Sequence, residues 1–187
     1  EALTGAGVRE LLPKFKEPGR HRLLICPDGE AVGPERSLRD SGFEDEGAQR
    51  AVELTLTIVD NPHWPDMSRT LQVLKTTRTN DLSELQQMLR SPPAVETVSL
   101  TLCRLLGYRR LKTGGEIWKP SVFREYLGRF DPDRDHASIV TTLTTFVADS
   151  DLAPRPIASK SVMASRVSAW FHALYWYSKF AVDNGVL

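Results

Sequence analysis

The side chains that could carry acid–base or metal chemistry are spread too thinly along this chain to build a centre. Its four histidines, His21, His63, His136 and His172, lie far apart, and none opens a ligand pattern such as His-Glu-x-x-His. Asp131-Pro132-Asp133-Arg134-Asp135 imitates the start of a calcium loop, but the glycine and the bidentate glutamate that such a loop needs downstream are missing. It reads instead as an acidic loop that ends a helix. Gly114-Gly115 lacks the Lys-Ser/Thr and the preceding strand of a phosphate-binding loop, and reads as a turn. Cys26 and Cys103 stand in apolar contexts without partners at metal-like spacing. They read as buried, inert thiols in a reducing compartment. The sequence therefore predicts no catalytic residue, no metal site and no cofactor.

Positive charge is the one reactive property that clusters. Twenty-four basic side chains balance 24 acidic ones, so no global field draws the chain to nucleic acid or membrane. Any electrostatic binding must come from local segregation. Arg104, Arg109, Arg110 and Lys112 form one group, and Arg124, Arg129 and Arg134 recur at near-helical spacing. Arg155, Lys160, Arg166 and Lys179 mark the last third. A face collecting such residues would steer and hold an acidic protein surface, with affinity that falls as salt rises. No apolar run approaches the roughly 20 residues that span a bilayer. No secretory signal is visible, and the missing initiator Met suggests a fragment or a processed chain.

The elements that must position these charges fall into two parts, and the fold class is α+β. Residues 1–63 carry a short helix around Val8–Leu12, a strand over 22–26, an Asp28-Gly29 turn and an alternating strand over 52–59. That order resembles the later part of a ubiquitin-like β-grasp whose opening hairpin is absent, a partial fold with an unpaired strand edge. Asn61-Pro62-His63-Trp64-Pro65 reads as a stiff linker, with Trp64 packing over the junction. Residues 64–80 then supply a linker and a connecting helix, capped by Ser68, and residues 81–187 a helical bundle.

Within the bundle, Asp81 and Glu84 suggest a capping box for a helix bearing Leu82, Leu85 and Leu89. Pro92-Pro93 cannot lie inside a helix and marks a corner, with Pro93 opening the next helix. Val95, Val98, Leu102, Leu105 and Leu106 share one face of that helix, which ends at Gly107. Ser121 is expected to cap a helix with Val122, Phe123, Tyr126, Leu127 and Phe130 inward. A Thr-rich helix follows over 137–148. Ser161 starts the longest helix, with Val162, Met163, Val167, Trp170, Phe171, Leu174 and Tyr177 on its inner face and Gly185 at its end.

The ordered set of motifs resembles the microtubule-binding domain at the stalk tip of dynein heavy chains. The Pro92-Pro93 corner comes first, followed by Trp118, Phe123 and Phe130-Asp131-Pro132-Asp133. Phe146, the turn Leu152-Ala153-Pro154-Arg155-Pro156 and Ser161 come next, and Trp170, Ala173 and Tyr177 close the series. The resemblance covers about residues 81–180. Only Lys119-Pro120-Ser121-Val122 separate Trp118 from Phe123, where the family has room for a second small helix. Residues 64–80 and 178–187 are too short for the family's coiled-coil arms.

The resemblance implies a non-catalytic, cytoplasmic, cytoskeletal or axonemal module whose partner is tubulin in the microtubule. It places track contacts at Arg90, Arg104, Arg124, Arg129 and Lys179, while Val98, Trp170 and Tyr177 read as core. An adaptor that keeps the bundle but binds another protein is the alternative. A third reading is an accessory piece of a larger ATPase whose nucleotide sites lie outside this sequence.

Overall fold

The computed structural model describes residues 19–25, 55–88, 90–108 and 114–185. Among them, those up to Trp64 and from Phe180 onward form one compact unit, and Pro65–Lys179 form a second. The fold is α+β: a small two-stranded sheet and a mostly helical remainder. None of the described helices is long and apolar enough to cross a membrane.

In the smaller unit, β1 (Arg20–Ile25) pairs antiparallel with β2 (Thr55–Asp60), with Arg20 opposite Asp60 and Ile25 opposite Thr55. Arg20 and Asp60 join by an exposed 3.0 Å ion pair. Gly19 sits at φ +78°, and a Cβ there would fall 2.3 Å from Trp64 Cγ, so only glycine lets the indole close over the backbone. Trp64 thus packs on Gly19 within this unit. Buried His21 and Asn61 share a 2.8 Å hydrogen bond. The helix, the Asp28-Gly29 turn and the loops on which the ubiquitin-like resemblance rests lie outside the described residues, as do Cys26 and Leu89.

The connecting helix, α1 (Trp64–Lys75), starts earlier than Ser68. The Asn61 side chain accepts from the His63 N–H at 2.9 Å and its carbonyl from the Trp64 N–H at 3.1 Å, so the turn is already closed there. Pro65 fits the first helical turn because its missing N–H would have no partner in any case. Met67, Leu71 and Leu74 are buried.

The next helix, α2 (Thr79–Gln86), begins before Asp81 and has no side-chain cap, so Asp81 and Glu84 do not form the expected capping box. Asp81 lies in the first turn, where the helix dipole favours a carboxylate, and accepts a 2.8 Å charge-assisted bond from Arg166.

Residues 87, 88 and 90–92 are non-helical, and α3 (Pro93–Leu105) opens at the second proline of the pair. Val95, Val98 and Leu102 are buried as its period requires, whereas Leu105 and Leu106 are half-buried. The 3-10 turn η1 (Gly114–Trp118) begins at Gly114, so the two glycines open a helical turn rather than a simple loop. Next, α4 (Pro120–Arg129) has Lys119 at its N-cap and Pro120 in its first turn, which leaves Ser121 exposed inside the helix instead of capping it.

Asp135 caps α5 (His136–Ala148) by accepting from the Ser138 N–H at 2.9 Å. Its threonines do not break it. Thr141 and Thr144 return their hydroxyls to the carbonyls one turn back, at 2.9 and 2.7 Å. η2 (Ser150–Leu152) and the short α6 (Pro154–Ala158) make the proline-containing turn. α7 (Val162–Asp183) follows, with Ser161 Oγ accepting from the Ala164 N–H at 3.1 Å.

The core of the larger unit gathers on α7. Met163, Val167, Trp170, Phe171, Leu174 and Tyr177 are buried, while Val162 is 61% exposed and lies off that stripe. Phe171 meets Phe146 edge-on at 5.0 Å, and Trp170 meets Phe130 at 5.2 Å. Ser168 donates to the Leu152 carbonyl at 2.6 Å, tying η2 to the same helix.

Candidate functional site

The end of α3 sets the first wall of the site. After Arg104 the chain reverses at Gly107, φ +69°, with the Gly107 N–H donating to the Arg104 carbonyl at 3.2 Å and the Tyr108 N–H to the Cys103 carbonyl at 2.8 Å. These are the paired bonds of a Schellman cap, and they need a left-handed residue between them. The buried Tyr108 then meets Tyr126 of α4 edge-on at 5.2 Å and donates its hydroxyl to Glu116 at 3.1 Å. One ring therefore locks α3, η1 and α4 together.

Trp118 makes the second lock. Its indole N–H donates to Ser99 Oγ at 2.8 Å, Ser99 donates to the Val95 carbonyl at 2.8 Å, and the ring stacks on Phe123 at 6.0 Å. All of these side chains are buried. The third wall is the acidic connection from α4 to α5. Asp131 accepts from the Asp133 N–H at 3.1 Å, Asp133 accepts from the Tyr177 hydroxyl, and Asp135 caps α5. The carboxylates are spent on holding the turn, which is why this stretch behaves as a helix connector. Burial, reinforced by the Asp133 carboxylate, raises the Tyr177 phenol far above its usual range, so it stays a proton donor.

Between these walls lies a groove of about 290 Å³. Arg104 from α3, Arg129 from α4 and Arg134 from the connection line it, over a floor that includes Tyr126, Phe130 and Ile139. Arg129 forms an exposed 3.0 Å ion pair with Glu125. The guanidiniums of Arg104 and Arg134 make no hydrogen bond or ion pair to the described residues.

Of the basic residues singled out in the sequence, Arg104 and Arg129 come together here, and Arg90, Arg124 and Lys179 do not. Arg90 is exposed on the bend before Pro92, Arg124 donates to Thr79 Oγ1 at 3.0 Å, and Lys179 is half-buried on α7. Arg109, Arg110 and Lys112 lie outside the described residues. The motif residues Trp118, Phe123, Trp170 and Tyr177 are buried, as is Val98, while Ala173 is half-buried. Arg134, at near-helical spacing from Arg124 and Arg129, lines the groove although the resemblance does not place it among the track contacts. Tyr126 and Phe130, expected inward from the helical period, are instead half-buried and line the groove.

Two groups near the core have shifted proton affinities. Burial pushes the Cys103 thiol up to about 11. Burial lowers His172, whose Nε2 is buried without a partner among the described residues, while a bond to the Leu152 backbone opposes the shift. The ring sits 6.2 Å from Phe146, the environment of a packing histidine.

No family model matches the chain. Dynein axonemal heavy chain 1 of Mus musculus is 25% identical over 123 residues, which cover 57% of this chain and 3% of that protein. The Rattus norvegicus and Homo sapiens counterparts match at the same identity and coverage. Part of this chain is dynein-related. It spans only about 3% of the length of these curated relatives.

Proposed function

We propose that the helical part of this chain is a non-catalytic microtubule-binding module of the dynein stalk-tip type, acting at the axoneme or cytoskeleton. The observation that carries the reading is the 123-residue similarity to dynein axonemal heavy chain 1. The ordered motifs from Pro92-Pro93 to Tyr177 support it. The organisation that goes with it is a ubiquitin-like part over 1–63, a linker and connecting helix over 64–80 and the binding domain over 81–187.

The acidic tubulin lattice meets basic side chains, with the exposed Arg90, Arg104, Arg124 and Arg129 and the half-buried Lys179 as the contact set. Each exposed pair contributes about 1 kcal/mol or less, so affinity is modest and falls steeply with ionic strength. Co-sedimentation with stabilised microtubules tests the reading. The chain pellets at low salt and is released at moderate salt; failure to pellet at low salt defeats the proposal. Recovery of a defined protein partner without tubulin would favour the adaptor reading instead.

A further inference from the structure

The groove bounded by α3, α4 and the acidic connection has a composition that a flat basic surface lacks. Arg104 and Arg134 stand at its edge with no ion pair to the described residues, and Arg129 holds only an exposed pair with Glu125. The floor is apolar and partly aromatic, with Tyr126 and Phe130 half-buried and Ile139 buried. Asp131 and Asp135 on the same wall accept from backbone N–H groups, and the three guanidiniums outnumber these two carboxylates in the lining.

We infer that this groove is a docking site for an acidic peptide segment of a partner protein that inserts one apolar side chain between flanking carboxylates. About 290 Å³ accommodates a single large side chain, at the bottom of the range for ligand pockets and too small for most cofactors. Guanidiniums from separate elements suit carboxylates, which they bind as a bidentate fork. The inference rests on the reading of the helical unit as a docking module for an acidic partner, and narrows it to one groove and one peptide chemistry.

The test is fluorescence anisotropy with the full chain and a labelled, glutamate-rich peptide carrying one central Phe. Arg104→Gln combined with Arg134→Gln weakens binding about tenfold, the sum of two exposed charge pairs. Arg155→Gln, an exposed arginine of α6 away from the groove, changes it by less than about twofold. Replacing the peptide's Phe by Ala also weakens binding about tenfold, because the floor loses its occupant. Both arginines are exposed, so an unchanged melting temperature is expected and verifies folding.

Equal losses for Arg155→Gln and the double variant, or indifference to the Phe, would overturn the groove in favour of diffuse attraction. Peptide binding without microtubule co-sedimentation would defeat the filament reading and leave the groove standing. Co-sedimentation that the double variant leaves intact, with no peptide binding, would do the reverse.

Discussion

Ser99→Ala is the substitution that most directly probes how α3 and η1 are held together. The Ser99 hydroxyl is buried, donates to the Val95 carbonyl and accepts the Trp118 indole N–H, both at 2.8 Å. Alanine removes that acceptor and strands the N–H of an indole that is only 1% exposed. A buried, unsatisfied donor costs about 1–3 kcal/mol, whereas alanine in mid-helix returns up to about 0.5 kcal/mol of propensity. The net expectation is a loss of about 1–2 kcal/mol.

Trp118→Phe is destabilising in its own right through lost volume, but it removes the stranded donor. On that background Ser99→Ala becomes nearly neutral, so the coupling between the two sites is about 1–2 kcal/mol. Urea unfolding of the four proteins, followed by far-ultraviolet circular dichroism because one tryptophan changes, measures it. A Ser99→Ala cost equal in both backgrounds, within about 0.3 kcal/mol, would refute the idea that this bond joins α3 to η1.

Two further predictions rest on single residues. Gly107→Ala places a side chain at φ +69° where space is open, so the cost is backbone strain alone, about 1 kcal/mol, with Gly107→Asn costing less; thermal melts of the two variants check the order. Cys103 stays a neutral thiol in the folded chain, so alkylation at pH 8 is slow until urea exposes it, as mass spectrometry will show. Because folding raises this thiol from 9.0 to about 11, its contribution to stability is complete below pH 9 and is lost as pH rises through about 11. Cys103→Ala removes that slope, and an unchanged alkaline transition would contradict the assignment.

Local rules acted where one stretch of chain decides its own conformation. Pro92-Pro93 excludes a continuous helix, Gly107 meets the left-handed demand of the α3 cap, and Ser161 offers an oxygen to the start of α7. The period of α7 marks its buried stripe from Met163 to Tyr177 in advance, since an apolar face that broad must be covered. Where several caps compete, locality misleads. Asn61 preempted Ser68, Pro120 preempted Ser121, and Asp81 was drawn to Arg166, a residue of another helix.

The amino-acid order alone thus determined the helical segments, the corner and the buried aromatics. Tertiary packing decided which charges share a surface. Arg104, Arg129 and Arg134 belong to different elements, and they converge because Tyr108 against Tyr126 and Trp118 against Ser99 and Phe123 tie α3 and α4 together through η1. Periodicity places a residue on one face of its own helix. The distance between faces of separate helices depends on the side chains packed between them, and no spacing along the chain encodes it.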